Sequence, residues 1–119
     1  MDKTEQRYRQ LIKNLDHILS VLVAEYQPEK IILFGSLADD RIEEWSDIDL
    51  VIIKQTSLPF LQRLKEVALL CRASVGVDYL VYTPDEFEQM LNQKNPFILD
   101  EVVRKGKVLY DRHTAPTVV

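Results

Sequence analysis

The chain has 119 residues, 46% of them hydrophobic, and a net charge of −4, which suits one domain with its own core. The negative charge argues against direct nucleic-acid binding, because a phosphate backbone needs a dense basic face. The sequence contains no run of about 18 apolar residues, so we expect no membrane-spanning helix. The polar N-terminus does not resemble a signal peptide. The single cysteine, Cys71, lies in an apolar run and is expected to be buried and reduced. We therefore expect a cytoplasmic protein.

Hydrophobic spacing predicts the elements of the first half of the chain. Apolar residues at helical spacing predict a long helix over about residues 4–26, which Pro28 ends. The apolar run 30–34 predicts a buried strand. A polar, irregular loop follows over 36–46, and a strand rich in Ile and Val is predicted over 47–54.

The middle of the chain predicts a helix over about 58–72 and a third strand over 76–82. The buried face of this helix is expected to contain Leu61, Leu64, Val67, Ala68 and Cys71. Thr83, with Glu86 three residues later, predicts the N-terminus of another helix.

The C-terminal third completes the predicted fold. Asn95 and the proline after it predict a last helix that ends at Gly106, and 108–110 predict a short final strand. Together the elements predict an α/β (α+β) fold, with helices packed on a small mixed, partly antiparallel sheet. The domain is expected to cover residues 1–111, followed by a flexible tail over 112–119.

Two aspartates in the second predicted strand give the first indication of chemistry. Asp47 and Asp49 are two residues apart, so on a strand they face the same side, about 7 Å apart. Their like charges repel on a half-buried surface, and a divalent cation such as Mg²⁺ would offset the repulsion and the lost hydration. The alternative is that Asp47 belongs to a turn and that Asp49 is simply exposed.

A third carboxylate, Asp78, lies in the next predicted strand. If that strand neighbours the second one, Asp78 can face the same side as Asp47 and Asp49 and complete a two-metal site for an in-line displacement. Asp78 could also accept the proton of an attacking hydroxyl. The alternative is an aspartate at a strand edge without a catalytic role.

Gly35 and Ser36 directly follow the first predicted strand. Glycine lets the backbone approach a phosphate closely, and the serine hydroxyl with the next N–H groups can hold phosphate oxygens. On its own, this pair is more typical of an ordinary turn.

The combination resembles the DNA polymerase β-type nucleotidyltransferase superfamily, and within it the minimal, MNT-type branch of antitoxins. A Gly-Ser pair is followed by ten residues, an Asp-x-Asp strand, a later strand with a carboxylate and a closing segment. The matching segments are 33–36, 46–51, 77–87 and 106–111. The resemblance implies that Gly35 and Ser36 bind the triphosphate of ATP, that Asp47 and Asp49 bind Mg²⁺, and that Asp78 is the third metal ligand or the general base.

One departure from the family pattern affects the triphosphate side of the site. Many members have basic residues just after the Gly-Ser pair, where this chain has Leu37 and Asp39. An acidic residue there would repel a triphosphate. Arg41 could substitute, although it is more typical of a solvated loop charge. Trp45 is expected to pack beside this loop, and the alternative is that it stacks on an adenine.

The resemblance also implies a partner. Minimal members neutralise a small helical HEPN-type toxin by binding it and adding AMP to a tyrosine, which predicts an antitoxin in a hetero-oligomer. The short chain favours an acceptor on a separate protein. An acidic loop over 39–44 suits a basic partner. The alternatives are a non-catalytic binding antitoxin of the same fold and a small-molecule, aminoglycoside-type nucleotidyltransferase.

Overall fold

The computed structural model describes residues 2–114. The helices are α1 (Lys3–Val21), α2 (Phe60–Cys71) and α3 (Pro84–Asn92), with two π-helical segments, π1 (Leu22–Tyr26) and π2 (Phe97–Arg104). The strands are β1 (Lys30–Phe34), β2 (Ile48–Ile53), β3 (Val77–Tyr82) and β4 (Lys107–Asp111). The predicted first helix corresponds to α1 together with π1, and the predicted last helix corresponds to π2.

The four strands form one sheet in the order β3-β2-β1-β4. β1 is antiparallel to both β2 and β4, whereas β3 is parallel to β2. A parallel neighbour needs a crossover connection, and α2 provides it. The predicted mixed, partly antiparallel sheet with packed helices is therefore confirmed. β3 lies at one edge of the sheet and β2 lies inside it.

Both faces of the sheet are covered, which explains why β2 is a continuous apolar run. Leu50 and Ile52 point to the face covered by α1, π1 and α2. Val51 and Ile53 point to the face covered by α3 and π2. Because side chains alternate along a strand, Asp49 shares the second face, at the end where β2 begins. Among the helices of residues 2–114, none is long and apolar enough to cross a membrane.

The predicted buried face of α2 is partly wrong. Val67 and Cys71 are fully buried as expected, but Leu61 and Ala68 are exposed, Leu61 by 69%. Arg63 is buried in their place. A long side chain with a charged end fits this position because the surrounding backbone and a carboxylate receive its hydrogen bonds.

Arg63 joins α2 to the start of α3. Its guanidinium donates to the carbonyl of Val81 (3.1 Å) and to both carboxylate oxygens of Glu86 (2.6 and 3.2 Å). Glu86 in turn accepts from the N–H of Thr83, whose hydroxyl accepts from the N–H of Glu86. The predicted capping of α3 is thus confirmed, and the capping carboxylate also neutralises a buried charge.

Replacing Glu86 with Gln is expected to lower the free energy of unfolding by about 1 to 3 kcal/mol, because it leaves the buried Arg63 charge without its carboxylate. Hydrogen bonds from Arg63 are the main reason that the pKa of Glu86 is lowered. A lowered pKa stabilises the fold above the unfolded-state pKa, and this stabilisation is lost as the pH falls. Urea titrations at pH 7 and pH 3.5 should therefore show a larger difference between variant and wild type at pH 7 than at pH 3.5. The exposed Glu88→Gln is the matched control, and an equal loss in both variants would contradict the role of Arg63.

The chain after β4 returns to the segment that leads into β1. The N–H of Arg112 donates to the carbonyl of Glu29 (2.8 Å), and the guanidinium of Arg112 donates to the carbonyl of Gln27 (2.6 Å). These bonds tie the first residues of the predicted tail to the domain. The rest of that predicted tail, 115–119, lies outside the described residues.

Candidate functional site

Gly35 directly follows β1 and has a backbone conformation that favours glycine. Its φ is +77°, in the left-handed region where a side chain is strained. A Cβ atom at this position would also lie 3.0 Å from Cγ of Asp49, because the backbone of Gly35 passes directly over that carboxylate. Gly35 therefore allows its backbone to lie close to Asp49, which is itself a candidate site residue.

Asp49 and Asp78 face each other on adjacent strands. They are direct partners in the parallel register of β2 and β3. Burial most of all, together with a hydrogen bond with Asp78 and the negative charges of Asp78 and Asp47, raises the pKa of Asp49 to about 6. A carboxyl pair of this kind favours either a shared proton or a bound cation.

Asp47 precedes β2, and α1 holds its side chain. Nη2 of Arg7 donates to Oδ1 of Asp47 at 2.9 Å, and the carboxylate is about half exposed (49%). On its other side it lies against Gly76, where a Cβ would be 2.7 Å from the carboxylate carbon. The structure thus brings Asp49 and Asp78 into contact, whereas Asp47 lies nearby in an ion pair with the first helix.

A small polar network links the Gly-Ser turn to the start of β2. The hydroxyl of Ser36 donates to that of Ser46 (3.1 Å), which also accepts from the N–H of Glu43 (2.8 Å). Nε of Arg7 donates to the carbonyl of Ser46 (2.8 Å). Sequence reasoning missed both Arg7 and Ser46 as site residues. The position of Ser46 next to Asp47 was a usable signal, but nothing local connects Arg7 to a residue 40 positions away.

The loop after Ser36 is a compact turn with a buried start. The N–H groups of Ala38 and Asp39 both donate to the carbonyl of Gly35 at 3.1 Å. Leu37 is 4% exposed and belongs to the core, which explains an apolar residue where the family often has a basic one. Arg41 is paired with Asp39 at 2.8 Å. Leu37 is therefore a packing residue, and the charge of Arg41 is already partly used.

An open cleft of about 610 Å³ runs from the carboxylate pair to α2. Its lining combines both carboxylates, three residues of α2 and an aromatic pair: Asp49, Asp78, Leu64, Lys65, Ala68, Phe34 and Phe97. The two phenylalanine rings meet edge to face, with centroids 5.3 Å apart. Trp45 lies outside this cleft and is 71% exposed, so the expectation that it packs beside the loop is wrong.

The carboxylate pair suits a divalent cation. Within residues 2–114, no three His, Cys, Asp or Glu side chains are arranged so that they could hold a metal ion. The structure therefore does not show a metal site made of Asp47, Asp49 and Asp78 together, and that arrangement stays a prediction. In the same range, neither Asp49 nor Asp78 forms a salt bridge with a basic side chain. Two facing oxygen donors without a cationic partner fit Mg²⁺, which takes one or two protein carboxylates and completes its shell with water and substrate phosphates.

Comparisons with known proteins identify the family and support the fold. The sequence matches a family model described as "Polymerase beta, Nucleotidyltransferase" over residues 16–115, a range that includes all five candidate site residues. A crystal structure of a protein from Sulfolobus solfataricus, assigned as a nucleotidyltransferase, superposes with a TM-score of 0.62 at 18% identity, over 100% of this chain and 96% of the other. At this identity the structural match shows the fold alone. No curated protein matches the sequence.

Proposed function

The chain belongs to the polymerase beta nucleotidyltransferase family, and we propose that it is an antitoxin that transfers AMP from ATP to a tyrosine hydroxyl of a small helical HEPN-type toxin. The observation that carries the proposal is the contact between Asp49 and Asp78 directly beneath the turn at Gly35. A carboxylate pair beside a phosphate-binding turn offers both ligands for Mg²⁺ and an acceptor for a proton.

The proposed reaction gives each group of the site a role and gives Asp78 two, as proton acceptor and as metal ligand. The acceptor oxygen forms a bond to the α-phosphorus of ATP, the bond to pyrophosphate breaks, and the acceptor proton passes to Asp78. Asp78 is exposed at the start of the edge strand, so a hydroxyl carried by another protein can reach it. Asp49 and Asp78 would hold Mg²⁺, which when bound neutralises phosphate charge. The hydroxyl of Ser36 would donate to the triphosphate.

Exposed residues around the site support an acceptor on a separate protein. Trp45 in the loop before β2, and Leu61 and Leu69 on α2, are each about 70% exposed. Large exposed apolar side chains, aromatic ones above all, are typical anchors of protein interfaces. The loop that carries Trp45 is acidic, which suits a basic partner: Asp40, Glu43 and Glu44 are all exposed.

We expect a stable complex with a basic helical toxin encoded beside this chain, and transfer of AMP to a toxin tyrosine in the presence of Mg-ATP. Reversal of Asp40, Glu43 and Glu44 to Lys should weaken the complex about tenfold at low salt, because it replaces attraction with repulsion. Mass spectrometry of the toxin measures the transfer, and calorimetry at two salt concentrations measures the association.

The matched control reverses three exposed acidic residues elsewhere on the surface: Asp16, Glu25 and Glu88. This control should bind the toxin much more tightly than the loop variant does. Equal weakening by both triple variants would contradict docking at the loop. A lack of any interaction with the neighbouring gene product would favour a small-molecule acceptor instead.

A second candidate function is a binding antitoxin that occludes the toxin without transferring AMP. The observation that favours it is the loop after Ser36, where Leu37 is buried and Arg41 is paired with Asp39. This loop offers a triphosphate less positive charge than a loop with free basic residues. A toxin that is fully inhibited but unmodified after incubation with Mg-ATP would support a binding antitoxin over one that transfers AMP.

A further inference from the structure

We propose that Lys65 of α2 is a catalytic residue of this site that binds the α-phosphate of the nucleotide. This inference rests on the proposed function, because it needs a nucleotide held by the carboxylate pair. Lys65 lines the same cleft as Asp49 and Asp78 and is exposed to solvent there. Its position on α2 places it outside every motif that sequence reasoning selected.

The order of the elements arranges the site groups in a row. Gly35 passes over Asp49 on the inner strand β2. Asp49 faces Asp78 on the edge strand β3. The cleft then passes around the edge strand β3 to Lys65 on α2, which packs on the opposite face of the sheet. The turn and Lys65 therefore lie at opposite ends of the row, with the carboxylate pair between them.

This order separates the two ends of a bound triphosphate. With the β- and γ-phosphates at the turn beside Ser36, the α-phosphate would lie at the carboxylate pair, which lines the same cleft as Lys65. A lysine side chain is long and flexible, and its ammonium group acts as a mobile point charge. Lys65 can therefore reach the α-phosphate without a preformed hydrogen-bond geometry.

Two basic groups near the turn, those of Arg7 and Arg41, already have hydrogen-bond or ion-pair partners. Arg7 donates to Asp47 and to the carbonyl of Ser46, and Arg41 is paired with Asp39. In contrast, within residues 2–114 no carboxylate lies within salt-bridge distance of Lys65. Lys65 is thus the basic residue of the cleft whose charge remains available to an anion.

The positive charge of Lys65 would stabilise the negative charge that shifts on the phosphoryl group during the transfer. As the bond from the acceptor oxygen to the α-phosphorus forms and the bond to pyrophosphate breaks, negative charge shifts among the oxygens of the phosphoryl group. A positioned ammonium group beside the non-bridging oxygens stabilises that charge. Lys65 supplies on the α-phosphate side the positive charge that Leu37 and Asp39 do not supply on the turn side.

The test measures binding of two Mg²⁺ complexes by calorimetry, one with the non-hydrolysable analogue α,β-methylene-ATP and the other with pyrophosphate, which represents the β–γ end alone. Lys65→Gln should weaken binding of the analogue about tenfold, because it removes a charge-assisted hydrogen bond. It should leave pyrophosphate binding nearly unchanged. Lys65→Arg should retain most of the affinity for the analogue. Lys107→Gln, the same change on the exposed strand at the opposite edge, should affect neither ligand.

The outcomes distinguish this inference from the proposed function. If Lys65→Gln binds the analogue as tightly as the wild type does, the role of Lys65 is wrong and the proposed function stands. If it loses equal affinity for both ligands, the assignment to the α-phosphate is wrong. If the wild type binds no analogue with Mg²⁺, the proposed function fails and the inference fails with it. Thermal melting of each variant establishes that it is folded.

Discussion

Replacing Asp49 with Asn should lower the rate of AMP transfer by about a hundredfold to a thousandfold, a loss typical of removing one electrostatic group from a reaction site. Asp49 is the inner member of the carboxylate pair, and the Gly35 turn covers it. An amide keeps the shape of the side chain but loses the negative charge that would hold Mg²⁺. The single-turnover rate of AMP incorporation into the proposed toxin partner measures this effect.

The same variant should be more stable than the wild type in the absence of metal. The pKa of Asp49 is raised to about 6, so its charged form is disfavoured in the folded state. Between the unfolded-state pKa, about 3.9, and pH 6 the folded state binds more protons, so the stability of the wild type falls as the pH rises through this window. Asn at this position has no such loss. After allowance for solvent screening, the gain at pH 8 is about 1 kcal/mol, or about 3 to 5 °C in Tm.

Thermal melting in EDTA at pH 8 and pH 4 measures this gain, which should be much smaller at pH 4. Mg²⁺ should then raise the Tm of the wild type and leave that of Asp49→Asn almost unchanged. Asp16→Asn, an exposed aspartate on α1, serves as the control and should change neither quantity. A variant with wild-type transfer, or one destabilised at pH 8, would contradict the assignment of Asp49.

The elements were predictable because local spacing and packing agree along most of the chain. β2 shows this agreement, since both faces of the sheet are covered and every residue from Leu50 to Ile53 is buried. The sequence predicted that Asp49 and Asp78 face each other only if their two strands are neighbours. A single sequence does not give the pairing or the register of two strands. The parallel pairing across the α2 crossover meets that condition.

The misses have a common physical cause, which is that long polar side chains form contacts far along the chain. Arg7 reaches Asp47 across 40 positions, and Arg63 reaches Glu86 across 23. Hydrophobic periodicity treats an arginine as a surface residue, so it placed Leu61 in the core instead of Arg63. The contact with Arg7 also turns Asp47 toward α1, and the alternation of a strand could not have predicted this orientation.

Replacing Gly35 with Ala should lower the free energy of unfolding by about 2 to 4 kcal/mol, through left-handed strain and an overpacked contact. It should also reduce binding of Mg-ATP to an undetectable level. The strain comes from a φ of +77°, and the contact comes from the carboxylate of Asp49, whose Cγ would lie 3.0 Å from the new Cβ. Any relief of that contact moves the carboxylate away from Asp78 or moves the turn away from the phosphates. The loss of binding should therefore exceed what the loss of stability alone would cause.

A double-mutant cycle separates the two contributions to the loss of stability. Asp49→Ala removes the carboxylate that the new methyl group would meet, so the pair Gly35→Ala with Asp49→Ala should recover the part of the loss due to crowding. The part due to the positive φ should remain, because it depends on the backbone of residue 35 alone. Gly76→Ala is the comparison, since its φ is not positive and its methyl group would meet the half-exposed Asp47. It should cost less stability, because the ion pair with Arg7 can shift toward solvent. Additive effects of the two changes at 35 and 49 would mean that the turn does not rest on the carboxylate. The proposed phosphate-binding turn and the carboxylate pair would then be separate features instead of one site.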